Sequence, residues 1–136
     1  MANRWLFKTE PGAYAWADLE RESRTVWDGV RNALALKHLA AAAKGDEVLV
    51  YHTGDEKAAV GIAEVVRAPY PHPKLKDARR VVVDLRPLRA LPRAVRLADM
   101  RTNPKLAGFD LLRLPRLSVM PVTAAQWSAI LEMAKR

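Results

Sequence analysis

Two apolar runs joined by a short charged loop constrain this chain most. Val48-Leu49-Val50, inside Glu47-Val48-Leu49-Val50-Tyr51-His52, is apolar on consecutive positions, the pattern of a strand covered on both faces. Residues 58–66, Ala58-Ala59-Val60-Gly61-Ile62-Ala63-Glu64-Val65-Val66, read as a second strand. Asp55-Glu56-Lys57 between them predicts a hairpin. Gly61 inside that strand predicts a bulge or a close approach of another group to the backbone.

The flanking segments supply more strands and helices. Residues 4–10, Arg4-Trp5-Leu6-Phe7-Lys8-Thr9-Glu10, read as a strand ended by Pro11-Gly12. Trp16 and Leu19 have helical spacing within 15–21. Asn32 is placed to cap a helix bearing Leu36, Leu39, Ala40 and Ala43 on one face, with Gly45 beyond its end. Pro69-Tyr70-Pro71-His72-Pro73 is a stiff extended loop, since proline fixes its own φ and biases its predecessor. Residues 81–86 form a third long strand that Pro87 is expected to end, and 98–101 a short helix. Residues 111–121 read as an extended segment. Thr123-Ala124-Ala125-Gln126 is a capping box before a helix bearing Trp127, Ile130, Leu131 and Ala134. Strands with helices between and after them indicate a small, partly closed barrel in an α+β domain, with 1–136 as one domain.

Composition narrows the function. There is no cysteine, which excludes disulfides, thiolate metal sites and cysteine nucleophiles. No run approaches the roughly 18 apolar residues of a membrane span, and the N-terminus lacks an apolar signal core, so a cytoplasmic protein with no membrane partner is expected. The net charge of +8 is uneven: residues 1–66 carry −2, and residues 67–116 carry +9. A local cationic excess suits a polyanion, because neutralising phosphates releases condensed counterions.

Trp27-Asp28-Gly29-Val30-Arg31-Asn32 gathers groups suited to a flat, hydrogen-bonding ligand. An indole offers a stacking face, a carboxamide pairs with a base edge, and arginine takes phosphate or stacks. The same six residues also read as a turn before a helix, with Trp27 in the core and Asn32 as its cap. His38, His52 and His72 lack metal-ligand spacing, so no metal and no cofactor are expected. Ser118 with His52 is the least implausible nucleophile–base pair, and the chain is read as a binding module rather than an enzyme.

Seven segments occur in the order found in one family. They are Trp5-Leu6-Phe7-Lys8-Thr9-Glu10-Pro11, Trp27-Asp28-Gly29-Val30-Arg31-Asn32, Gly45-Asp46, Tyr51-His52, Val60-Gly61-Ile62-Ala63-Glu64-Val65, Tyr70-Pro71, and Arg116-Leu117-Ser118-Val119-Met120-Pro121-Val122. Across nearly its whole length the chain resembles the EVE domain. The resemblance implies a PUA-like fold: a partly closed mixed β-barrel of five or six strands with surrounding helices, similar to YTH and ASCH domains. It also implies a reader of modified bases, with methylated or hydroxymethylated cytosine in DNA foremost. Modified tRNA or rRNA, or a small enzyme acting on a base or nucleotide, are the alternatives. The implied base pocket uses Lys8, Thr9, Glu10, Trp27, Asn32, Tyr51, His52, Thr53, Leu117 and Ser118. The chain departs from the family at Thr9, where serine is frequent, and at Ala33, Leu34 and Leu36, where tyrosine, glutamine and arginine are frequent. His52-Thr53-Gly54 stands where His-Ser-Asn is common.

Arg31, Arg79, Arg80, Arg86, Arg89, Arg93, Arg96 and Arg116 are the candidate phosphate contacts of a nucleic-acid partner, either modified DNA or RNA. A monomer is expected, with the oligomeric state left open by the sequence.

Overall fold

The computed structural model describes residues 3–135. Six strands, Arg4–Thr9 (β1), Thr25–Trp27 (β2), Glu47–His52 (β3), Ala58–Pro71 (β4), Val81–Arg96 (β5) and Val119–Pro121 (β6), form one sheet in the order β2-β5-β4-β3-β1-β6. β1 and β3 run parallel and every other neighbouring pair is antiparallel, so the sheet is mixed. The helices are Trp16–Glu22 (α1), Ala33–Ala41 (α2), Leu97–Arg101 (α3), Asp110–Arg113 (α4) and Ala124–Ala134 (α5), with a 3₁₀ turn at Pro104–Leu106.

The sheet is curled into a half-barrel. β1 and β2 are four steps apart in strand order, about 19 Å in a flat sheet. Yet the rings of Phe7 on β1 and Trp27 on β2 have centroids 5.7 Å apart. Bulges produce the bend: the β4–β5 ladder shifts register between Ala59 and Gly61, Ile62 and Ala63, Val65 and Arg67, and Arg67 and Tyr70. Leu6, Phe7, Leu49, Ile62, Leu85 and Met120 fill the interior with no exposed surface.

Both expectations for Gly61 hold. It sits at a register shift, and a Cβ there would lie 2.5 Å from the Trp16 ring. The missing side chain therefore lets α1 lie against bare backbone. The indole Nε1 of Trp16 is buried without a hydrogen-bond partner among the described residues.

Asp46 ties the elements together. It is 2 % exposed. Its Oδ1 accepts from the Asn3 N–H at 3.0 Å, and its Oδ2 accepts from Trp5 Nε1 at 2.9 Å and the Ala43 N–H at 2.8 Å. The start of β1, the chain leaving α2 and the start of β3 all meet at this carboxylate.

The structure corrects three expectations. Pro87 does not end its strand, because β5 continues to Arg96. β2 pairs with β5 at Val83, Asp84 and Leu85, so among the described residues one edge of β5 has no strand neighbour beyond Leu85 and prolines are tolerated. Residues 111–121 are not continuously extended: α4 takes Asp110–Arg113, buries Leu111, and leaves β6 only Val119–Pro121. Finally, Trp27, read as part of the turn before α2, ends a strand, β2, too short to show a period, and the turn itself occupies 28–32. The capping box holds as read, with Thr123 Oγ1 accepting from the Gln126 N–H at 3.1 Å and Gln126 Oε1 from the Thr123 N–H at 3.0 Å.

Two substitutions test this framework. Gly61→Ala forces the rigid Trp16 ring aside and is expected to cost about 1–3 kcal/mol in urea unfolding, with an unchanged denaturant slope. Asp46→Ala strips three N–H groups of their acceptor and is expected to cost about 3 kcal/mol by the same measurement. Asp46→Asn is expected to recover little of that loss, since its NH₂ faces donors.

Candidate nucleic-acid interface

The curl of the sheet opens a cleft of about 370 Å³ where the end of β1 meets β2. β1 contributes Lys8 and Thr9, and β2 contributes Thr25, Val26 and Trp27. Asp28, Gly29 and Val30 follow β2, Tyr14 precedes α1, Glu22 is the last residue of α1, and Ser118 precedes β6. Gly29 has φ +82°, a left-handed conformation that glycine adopts without strain.

Trp27 forms the back of the cleft. Its ring is tilted 44° to Phe7 and stands edge-on to Tyr14, at 86° and 6.2 Å between centroids. Just 7 % of Trp27 is exposed, so most of the indole is covered by the protein itself. Three polar groups are fixed around it. Tyr14 donates its hydroxyl proton to Glu22 Oε1 at 2.7 Å. Thr9 Oγ1 donates to the Tyr14 carbonyl at 2.7 Å, which leaves that hydroxyl as an acceptor. Lys8 Nζ donates to the Pro115 carbonyl at 2.9 Å and lies 5.9 Å from the Tyr51 ring centre. Burial lowers the pKa of Lys8. Burial also pushes the Tyr14 phenol up, as do Glu22 and Asp18, against a Thr25 hydroxyl bond that pulls it down, to about 12.

Of the ten pocket residues implied by the resemblance, Lys8, Thr9, Trp27 and Ser118 line this cleft. The other six lie outside its lining, mostly in structural contacts. Asn32 Oδ1 accepts from the Ala35 N–H at 3.0 Å and caps α2. His52 accepts the Trp16 N–H at Nε2, 2.9 Å away, so its Nδ1 carries the hydrogen and donates to Glu56 Oε1 at 2.8 Å. With both ring nitrogens engaged, His52 has none left for Ser118. Glu10 Oε1 accepts from the Gly12 N–H at 2.9 Å, and the Thr53 N–H donates to the Thr9 carbonyl at 2.9 Å. Tyr51 and Leu117 are buried, at 3 % and 4 % exposure. In turn, Tyr14, Glu22, Thr25 and Val26 line the cleft without having been singled out for it. Their grouping depends on α1 and on a three-residue strand, and neither carries a sequence signal for the pocket.

The candidate phosphate contacts divide by position. Arg31, Arg79 and Arg80, with Lys37, line a groove of about 480 Å³ between α2 and the loop before β5. Asp77 in the same groove holds Arg79 at 3.2 Å. The segment that brings Trp27 and Val30 to the cleft continues directly into Arg31 of the groove. Arg86 is paired with Glu64 at 2.8 Å. Arg89, Arg96 and Arg116 are exposed elsewhere. Arg93 borders a larger cavity of about 510 Å³ between β5 and α5, whose lining contains no aromatic ring and so no stacking face. Among the described residues no helix is long and apolar enough to cross a membrane.

A curled mixed sheet of six strands with helices around it defines a PUA-like domain. The chain belongs to the EVE domain family, whose profile matches residues 3–133. A protein of Rhodopseudomonas palustris with a solved structure is 36% identical, with a TM-score of 0.93 over 98% of this chain and 94% of that one. Thymocyte nuclear protein 1 of Homo sapiens is 25% identical over 170 residues, spanning 100% of this chain and 76% of the human protein. The human protein has been solved in complex with DNA containing 5-methylcytosine, and that structure gives a TM-score of 0.90 at 26% identity, covering 99% of each chain.

The Tyr14 phenol supplies a titration test. Its folded pKa of about 12 lies above the ordinary phenol value of about 10. Its contribution to stability is therefore complete below about pH 10 and lost as pH rises through about 12. Tyrosinate absorbance is expected to show an ionisation step near pH 12 that Tyr14→Phe removes.

Proposed function

We propose that this chain binds nucleic acid and reads a modified base, with methylated or hydroxymethylated cytosine in DNA foremost, by taking the extruded base into the Trp27 cleft. The superposition over 99% of the chain on a protein held with 5-methylcytosine DNA carries this reading most directly. The cleft supports it independently. A base stacks on Trp27 while Lys8, Thr9 and Ser118 meet its edge, and Arg31 and Arg80 in the adjoining groove take the flanking phosphates. Extrusion costs a few kcal/mol, which phosphate contacts help to offset.

The reading is one of binding, not turnover. His52 is not available to activate Ser118, because it is fixed between Trp16 and Glu56. Incubation with nucleosides and nucleotides is expected to leave them unchanged.

Fluorescence titration with DNA oligonucleotides that differ at one cytosine, methylated or not, tests the proposal, with matched RNA as the second arm. Tighter binding to the methylated DNA is expected. Trp27→Ala, checked for folding by circular dichroism, is expected to weaken that binding roughly 5- to 150-fold, the 1–3 kcal/mol of one stacked base. Arg31→Ala with Arg80→Ala is expected to lower the slope of log affinity against log salt by about two. Equal affinity for both oligonucleotides, or indifference to Trp27→Ala, overturns the reading.

A further inference from the structure

We propose that Glu22 is the acceptor that selects an amino-bearing base, which makes the cleft specific for cytosine-class ligands over thymine- and uracil-class ones. The proposal rests on the reading of the cleft as a base pocket and adds what that reading lacks, a group that distinguishes one pyrimidine from another.

The hydrogen bond at the carboxylate has a fixed direction. Tyr14 gives its hydroxyl proton to Glu22 Oε1 at 2.7 Å. Glu22 is therefore the acceptor of the pair. Its Oε2 has no partner among the described residues. Tyr14 also stands edge-on to Trp27, so the carboxylate is held at a defined place relative to the stacking ring.

The location of Glu22 is not one its helix favours. It is the last residue of α1, at the negative end of the helix dipole, where a carboxylate is disfavoured. A local cost at a cleft-lining residue is the kind of departure expected where binding governs the choice. The cleft's other carboxylate is placed differently: Glu22 and Asp28 are both exposed, but Asp28 lies 4.0 Å from His72 Nε2 and Glu22 is bonded to Tyr14.

Lys8 supplies the complementary group. One of its three protons goes to the Pro115 carbonyl, and the others are available to the cleft. A cytosine ring carries a 4-amino donor and a 2-keto acceptor, so it can meet Glu22 and Lys8 together. Thymine and uracil carry a 4-keto oxygen, which would face the carboxylate acceptor to acceptor. Tyr14 acts as a positioning residue, through Glu22.

5-Methylcytosine and thymine share the 5-methyl group and the 2-keto oxygen and differ only at positions 3 and 4, so their affinity ratio reads the edge that Glu22 would meet. Each is placed opposite an abasic site in the same duplex, which removes any difference in pairing strength. The native chain is expected to prefer 5-methylcytosine by at least about tenfold, the range of one well-placed base contact. Glu22→Gln is expected to bring the ratio to within about threefold, because an amide can donate as well as accept. Tyr14→Phe is expected to lower the ratio by freeing the carboxylate, while a purely structural role for Tyr14 would lower stability and leave the ratio intact. The ratio is the readout, since removing a negative charge raises affinity for any polyanion. A native ratio near one, or an unchanged ratio in Glu22→Gln, overturns the assignment of Glu22. If Trp27→Ala still weakens binding in that case, the base-reading cleft stands without it; if Trp27→Ala has no effect, both readings fall.

Discussion

The fold depends on a single buried carboxylate with three hydrogen-bond donors. Asp46 gathers the Asn3 and Ala43 N–H groups and the Trp5 indole, from segments more than forty positions apart in two of the three cases. Its own carbonyl accepts from the Val65 N–H at 2.9 Å, which extends the junction to β4. A buried carboxylate is tolerable when both oxygens accept hydrogen bonds, and here both do. Fixing the start of β1 next to β3 sets the parallel register Arg4 to Glu47 through Thr9 to His52. That register delivers Lys8 and Thr9 to the cleft at the far end of the same strand.

Around this junction, polar residues divide between building the fold and facing the cleft. Asn32, His52 and Glu10 have side chains that suit a ligand, yet each meets a backbone N–H. Those N–H groups lie at the start of a helix or in a turn, where the backbone lacks internal partners. The cleft draws on others. Lys8, Thr9, Tyr14 and Glu22 each make one fixing contact and keep capacity for another. This is how a site combines rigidity with an open valence.

Much of the architecture was legible because it rests on patterns that a chain carries locally. The apolar run at Val48-Leu49-Val50 gave the central strand, Asn32 and Thr123 gave helix caps, and Gly61 gave the close approach. What was not legible depends on pairings that are distant in sequence. β2 is a strand because β5 offers it an edge, and its three residues hold no period of their own. Pro87 reads as a stop, yet it lies in a strand with a free edge. At the site, Trp27 was legible as an aromatic beside polar groups. The neighbourhood of Glu22 was not, because it arises only when α1 packs on β4 and the sheet curls.

The bare backbone at Gly61 thereby acquires a second meaning. α1 is only seven residues long, about 9 Å from first residue to last. Trp16, at one end, rests on Gly61; Glu22, at the other, faces the cleft. The helix is a short lever, with a glycine as its seat and a carboxylate at its tip. Anything that raises the seat tilts the tip, so the alignment of the cleft is set in part by a methyl group that is not there.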